Sequence, residues 1–123
     1  MDAAVAKGIR LFNKRMFFEA HEALEAVWLH SQGDERALLH GLIQVAAAFH
    51  HQQHGNIKGF RRVFEKGVGK LESLSRTTYH IDLADLLTQL EPWRAILSRA
   101  VSLDSLALPS LPRIRPTAGE SLL

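Results

Sequence analysis

The chain has 123 residues, 46% of them hydrophobic, with 15 Lys and Arg against 13 Asp and Glu and a formal net charge of +2. That length suits one domain with a core that needs no covalent staples, and the lack of Cys excludes disulfides, thiolate metal sites and Cys nucleophiles. No apolar run nears the roughly 20 residues that cross a bilayer, and the opening MDAAVAKGIRLF has an acid at position 2 and no A-x-A-like cleavage site, so a cytoplasmic, membrane-free location is expected.

Apolar residues recur at helical spacing almost throughout, without an alternating strand pattern. A first helix is predicted from about residue 2 to 13, with Asp2 as N-cap and Val5, Ile9 and Phe12 on one stripe. A second runs from Met16 to about His30 and stops before Gln32-Gly33-Asp34. Asp34 is the expected cap of the third, which continues to about His54 and carries Leu38, Leu42, Val45 and Phe49 on its apolar side. Gly55 closes that helix and Asn56 opens the fourth, a tight helix–helix turn.

The fourth helix places Ile57, Phe60, Phe64, Val68 and Leu71 on one face and Lys58, Arg61, Arg62, Lys66 and Lys70 largely elsewhere. Gly59, Gly67 and Gly69 each lower its propensity by roughly 1 kcal/mol relative to Ala, which close packing would justify. Asp82 and Asp85 resemble a capping box for a fifth helix, with Leu83, Leu86, Leu87, Leu90, Ile96 and Leu97 apolar and Pro92 expected to kink or restart it. The predicted fold is an all-α, compact bundle of about five helices in antiparallel hairpins over residues 1–103, followed by a Pro-rich extended C-terminal segment over 104–123. In that tail Leu106, Leu108, Leu111 and Ile114 can dock, whereas Thr117 to Leu123 are expected to be loose.

The second helix carries an anomaly. Leu24, Phe17 and Trp28 define its predicted apolar centre, with Phe18 and Leu29 extending one side. His21 then falls about 40° and Glu25 about 80° from Phe17, inside the apolar arc, with Glu22 at its edge. A buried carboxylate needs a partner. An antiparallel third helix, levelled about the Gln32-Gly33 turn, would put His21 beside Gln44 and Glu25 beside His40. His51 would lie roughly 10 Å further along, near Asn13 and Lys14.

The segments FNKRMFFEAHEALEAVW (Phe12 to Trp28) and GLIQVAAAFHHQQHGN (Gly41 to Asn56) resemble a small bacterial and archaeal family known only as domain of unknown function 309. The A-H-E-x-L-E-x-x-W and G-L-I-Q stretches carry the resemblance, over about residues 8 to 74. It implies a compact helical fold with His21, Glu22, Glu25, Trp28 and Gln44 as signature positions. Arg15 departs from the family, which often has Gly in the turn before the second helix.

The favoured functional reading is a small binding module. His21, Glu25 and Gln44, with Glu22 and Trp28 beside them, would hold a small polar ligand, or His21, Glu25 and His40 a divalent transition metal. Imidazole and carboxylate suit Zn, Fe, Mn or Ni, and bundle interiors often house such sites. However, H-E-A-L-E is not H-E-x-x-H, and only half of a di-metal Glu-x-x-His constellation is present. The alternative is a structural or protein-interaction domain in which these residues form a buried, register-setting network. A metal-dependent hydrolase with His21 as base comes third, and no phosphate loop, nucleophile elbow or catalytic Ser supports it, so the reading leans away from an enzyme.

Charge is unevenly spread. Residues 16–35 hold five acids (Glu19, Glu22, Glu25, Asp34, Glu35) and no Lys or Arg, whereas 56–76 hold six bases (Lys58, Arg61, Arg62, Lys66, Lys70, Arg76) against Glu65 and Glu72. Without aromatic residues among those bases, a solvated face is the preferred explanation and nucleic acid is disfavoured. His50, His51 and His54 form a polar end to the third helix, where protonated His complements the dipole.

Overall fold

Local signals open most of the helices. In the computed structural model, which describes residues 1–74, 80–99, 107–120 and 122, the Asp2 carboxylate accepts from the backbone N–H of Ala4 at 2.8 Å and of Val5 at 3.3 Å and starts α1 (Ala3–Asn13). Asn56 caps α4 (Ile57–Glu72) by accepting from Gly59 N–H at 2.9 Å, and Asp82 caps α5 (Leu83–Leu97) by accepting from Asp85 N–H at 3.0 Å. The reciprocal half of the expected capping box is not made, because the Asp85 carboxylate accepts instead from Arg115 and Gln89.

Between these lie α2 (Phe17–Trp28) and α3 (Gly33–Gln53). Asp34 is not the cap of α3. The helix starts two residues earlier, behind Gln32, whose side chain makes no capping bond, and Asp34 and Glu35 occupy the first turn, where carboxylates complement the dipole. Before α2, Arg15 takes φ 69°, the left-handed conformation that glycine adopts without penalty, which accounts for a Gly preference at this turn. The strained Arg15 is tied down on both sides: its guanidinium donates to the Pro112 carbonyl at 3.1 Å, and its own carbonyl accepts from Gln53 at 3.2 Å.

Consecutive helices pack on one another from α1 to α4, as antiparallel hairpins require. The core is aromatic at its centre. Phe49 of α3 lies 5.6 Å from Phe17, 5.3 Å from Phe60 and 5.0 Å from Trp93 between ring centroids, all four buried. Two of the three α4 glycines have the expected packing reason: a Cβ on Gly67 would sit 3.1 Å from Gln44 Cβ and from Val45, and one on Gly59 would sit 2.8 Å from the His51 ring. Gly69 has none, for a Cβ added there would meet no other part of the protein within 4 Å. Helix α5 runs unbroken past Pro92 and is not restarted there.

The C-terminal segment is bound along its described length. Asn13 brackets Ile114, accepting from its N–H at 2.8 Å and donating to its carbonyl at 2.9 Å, and Gln89 does the same for Arg113 at 2.9 Å each. Trp93 Nε1 donates to the Ser110 carbonyl at 3.1 Å. Ile114 is buried and Leu111 half-buried, as expected of docking residues, but Leu108 is 41% exposed. Beyond them Thr117 is not loose, since its N–H donates to the His80 carbonyl at 2.8 Å; Glu120 pairs with His80 at 2.8 Å, and Arg10 donates to the Leu122 carbonyl. Leu106 and Arg76, named in the sequence reading, lie outside the described residues.

The α3–α4 seam gives the first test. A methyl group at Gly41 would meet Leu71 Cδ2 at 2.6 Å and Cγ at 2.8 Å. Gly41→Ala should therefore cost about 1–3 kcal/mol through overpacking, while Gly69→Ala should gain up to about 1 kcal/mol from helix propensity alone. Urea melts of the two variants should move in opposite directions.

Candidate functional site

Helix α2 is turned relative to the apolar arc predicted for it. Its buried residues are Phe17, Ala20 and Leu24, and Leu24 fills the space beside Gly8 of α1, where a Cβ would lie 2.6 Å from it. Ala20 is fully buried on the same side. Phe18 is consequently 46% and Leu29 60% exposed. On a wheel with Phe18 at 0°, Leu29 falls at about 20°, Glu22 at about 40° and Glu25 at about −20°, opposite the buried centre. The outward side of α2 thus carries the row Phe18–Glu22–Glu25–Leu29, with Glu19 and Ala26 exposed beside it.

This corrects the placement of the predicted cluster. Glu22 is exposed, and the Glu25 side chain, 49% exposed, needs no buried partner. His21 Nε2 lies 3.3 Å from Glu25 Oε2, an i,i+4 pair at the surface with the His side chain 29% exposed. Trp28 is half-buried beside α3: its ring is 5.3 Å from His40, and the Arg36 guanidinium stands 4.0 Å above it. Arg36 also donates to the Trp28 carbonyl at 2.9 Å.

The ring contacts Trp28–His40 and Phe18–His50 (5.4 Å) set the α2–α3 register about three residues away from the predicted level. His21 accordingly lies by Ala47, with Phe18, His50 and His51, in a groove of about 180 Å³. Gln44 belongs to the other side of α3, beside Gly67, Lys66 and Lys70. His51 faces Asn56, 3.2 Å from its amide, and not Asn13, which is held by Ile114. His21 Nδ1 and Gln44 Oε1 are buried without a hydrogen-bond partner among the described residues. The proposed metal set of His21, Glu25 and His40 is not assembled, and among the described residues no three His, Asp or Glu side chains converge to hold a metal ion.

Phe18, Leu29 and Arg36 were not read as site residues from the sequence. The available signal was the three-turn spacing of Phe18 and Leu29 in line with Glu22 and Glu25.

The family described as Domain of unknown function (DUF309) matches residues 5–63. Over those residues the chain is similar to that family. The matched stretch takes in most of α1, all of α2 and α3 and the first half of α4, so it ends short of residue 74 and contains every predicted site residue. Within the matched segment the polar motif lies half on an open surface and half along the α2–α3 groove. No curated protein matches the chain. Among the described residues no helix is long and apolar enough to cross a membrane.

Two histidines along this face have altered acidity. Burial lowers the His40 pKa, aided by Lys70 and Arg36; burial also lowers that of His50, aided by His54, His51 and His21 against an opposing Glu19. A base whose folded pKa lies below its unfolded value binds fewer protons when folded. Its stabilising contribution is therefore complete above about pH 6.5 and lost as pH falls below that value. Urea midpoints should decline between about pH 7.5 and 5.5, and His40→Gln with His50→Gln should flatten the decline. Glu25→Gln should leave unfolding stability within about 0.5 kcal/mol of wild type, as for an exposed pair, and a loss of several kcal/mol would mean a buried charge.

Proposed function

We propose that this domain is a protein-interaction module whose docking surface is the outward side of α2 and the adjoining edge of α3. The observation that carries this reading is the row Phe18–Glu22–Glu25–Leu29. Of the large hydrophobic residues exposed among the described residues, Phe18 and Leu29 lie on this row and Met16 just before the helix, interleaved with acids that carry the family resemblance. Exposed apolar side chains grouped with charges on one helix face are the composition of an interaction patch. A partner for this row would present apolar anchors and cationic groups.

The small-ligand reading has less support. The groove beside His21, at about 180 Å³, is smaller than the roughly 300–1,000 Å³ typical of ligand sites. The metal reading lacks a converging ligand set, and the hydrolase reading depended on that metal. The network reading in its buried form requires a Glu25 turned inward, which the open carboxylate does not supply.

A photo-crosslinking amino acid placed at Phe18 or Leu29, in cells making the protein, tests the proposal. Discrete adducts are expected from both positions, weakened by Glu22→Lys with Glu25→Lys, and none from Ala95, an exposed position on α5. Adducts no stronger than those at Ala95 would overturn it.

A further inference from the structure

The α2 row borders a larger surface with two electrically opposite flanks. Helix α3 runs along its middle and shows the half-buried residues His40, Gln44, Ala47 and His51. On one side are Glu22 and Glu25 of α2, with Phe18 reaching over to His50. On the other are Lys66 and Lys70 of α4, which line a shallow groove with Gln44. Glu65, one acid among these bases, lines the same groove. Because α3 stands between α2 and α4, the two flanks cannot satisfy one another within one chain.

The levels of the flanks match. Phe18–His50 and Trp28–His40 level α2 with α3, and the approaches of Gly41 to Leu71 and of Gly59 to His51 level α3 with α4. Combining them puts Glu22 at the height of Lys66 and Glu25 at the height of Lys70, to within about two residues or 3 Å along the axes. A half-turn about a line parallel to α3, just above this surface, keeps every height and exchanges the flanks. Two copies stacked face to face by that operation would bring α2 of each over α4 of the other. Glu22 would then meet Lys66 of the partner subunit and Glu25 would meet Lys70 of the partner subunit, twice over, in a closed pair. The same stacking covers Phe18.

We infer that the partner of this surface is a second copy of the chain, in a two-fold dimer formed by α2, α3 and α4. This rests on the interaction reading above and names its partner. Such a contact is isologous, so it ends at two copies and does not propagate. Charge complementarity supplies its orientation, because the alternative two-fold, perpendicular to α3 in the same plane, would set Glu22 and Glu25 against their own copies.

Sedimentation equilibrium on three proteins decides the matter: wild type, an acid-flank variant (Glu22→Lys with Glu25→Lys) and a base-flank variant (Lys66→Glu with Lys70→Glu). Wild type is expected to be dimeric and each variant monomeric, with thermal melts confirming that all three are folded. An equimolar mixture of the two variants should regain the dimer mass, because every reversed flank then faces its complement. A monomeric wild type, dimeric variants, or a mixture that stays monomeric would each overturn the inference. Crosslinks from Phe18 to a different protein, with a monomeric wild type, would leave the interaction reading standing while removing the second copy as its occupant.

Discussion

At Gly41 and Gly67 the backbones of α3 and α4 come so close that an added methyl group would collide with Leu71 at 2.6 Å in one case and press on Gln44 and Val45 at 3.1 Å in the other. This close approach determines the shape of everything around it. It lets Phe49 reach Phe60 at 5.3 Å, and through Phe60 and Trp93 it connects α3 to α5. It also decides which side of α3 stays open. With Leu38, Leu42, Val45 and Phe49 directed to the core, the helix has only one narrow edge left, and that edge carries His40, Gln44, Ala47 and His51. The flat polar stripe between α2 and α4 follows from two missing methyl groups.

The C-terminal segment solves a different problem. An extended chain lying on a helical bundle has no continuous ladder to satisfy its backbone beyond the single bridge of Pro116 with Ile81, and buried N–H and C=O groups need partners. Here side-chain amides stand in for a neighbouring strand: Asn13 and Gln89 each accept from an N–H and donate to the C=O of the same tail residue. Arg15 joins this arrangement from the α1–α2 turn through Pro112. The segment and α5 both lie beyond the stretch that the family model matches.

Exposing Phe18 and Leu29, each about half covered, forgoes part of the roughly 1.5–3 kcal/mol that full burial of a large apolar side chain supplies. A helix of that composition could have been rotated to cover them, at the cost of burying Glu25. Burying an unpaired carboxylate is the more expensive choice, and the rotation adopted leaves the acids and the two large apolar side chains together outside. An apolar pair in water beside a row of acids, facing a basic helix on the far side of the same surface, is an arrangement whose cost is recovered only in contact with something else. The proposed two-fold pairing would cover Phe18 and set the acids against bases.

Short-range chemistry made much of the fold readable in advance. Asp2, Asn56 and Asp82 announce helix starts because a cap is a contact over two or three residues. Gly59 and Gly67 announce close packing, and the separation of acids on α2 from bases on α4 is visible in the order of residues. Three features depended on the assembled bundle. The rotation of α2 did, because periodicity weights Phe18 and Leu29 as core residues and says nothing of the room that Gly8 of α1 leaves for Leu24. The α2–α3 register did, because ring contacts between helices, and not the turn, position Trp28 against His40. The fate of the predicted cluster followed from both. The sequence by itself determined which residues form helices and where charge resides, since those are properties of neighbours along the chain. Only the tertiary structure decided which side of α2 faces water, because that depends on how much room a neighbouring helix leaves.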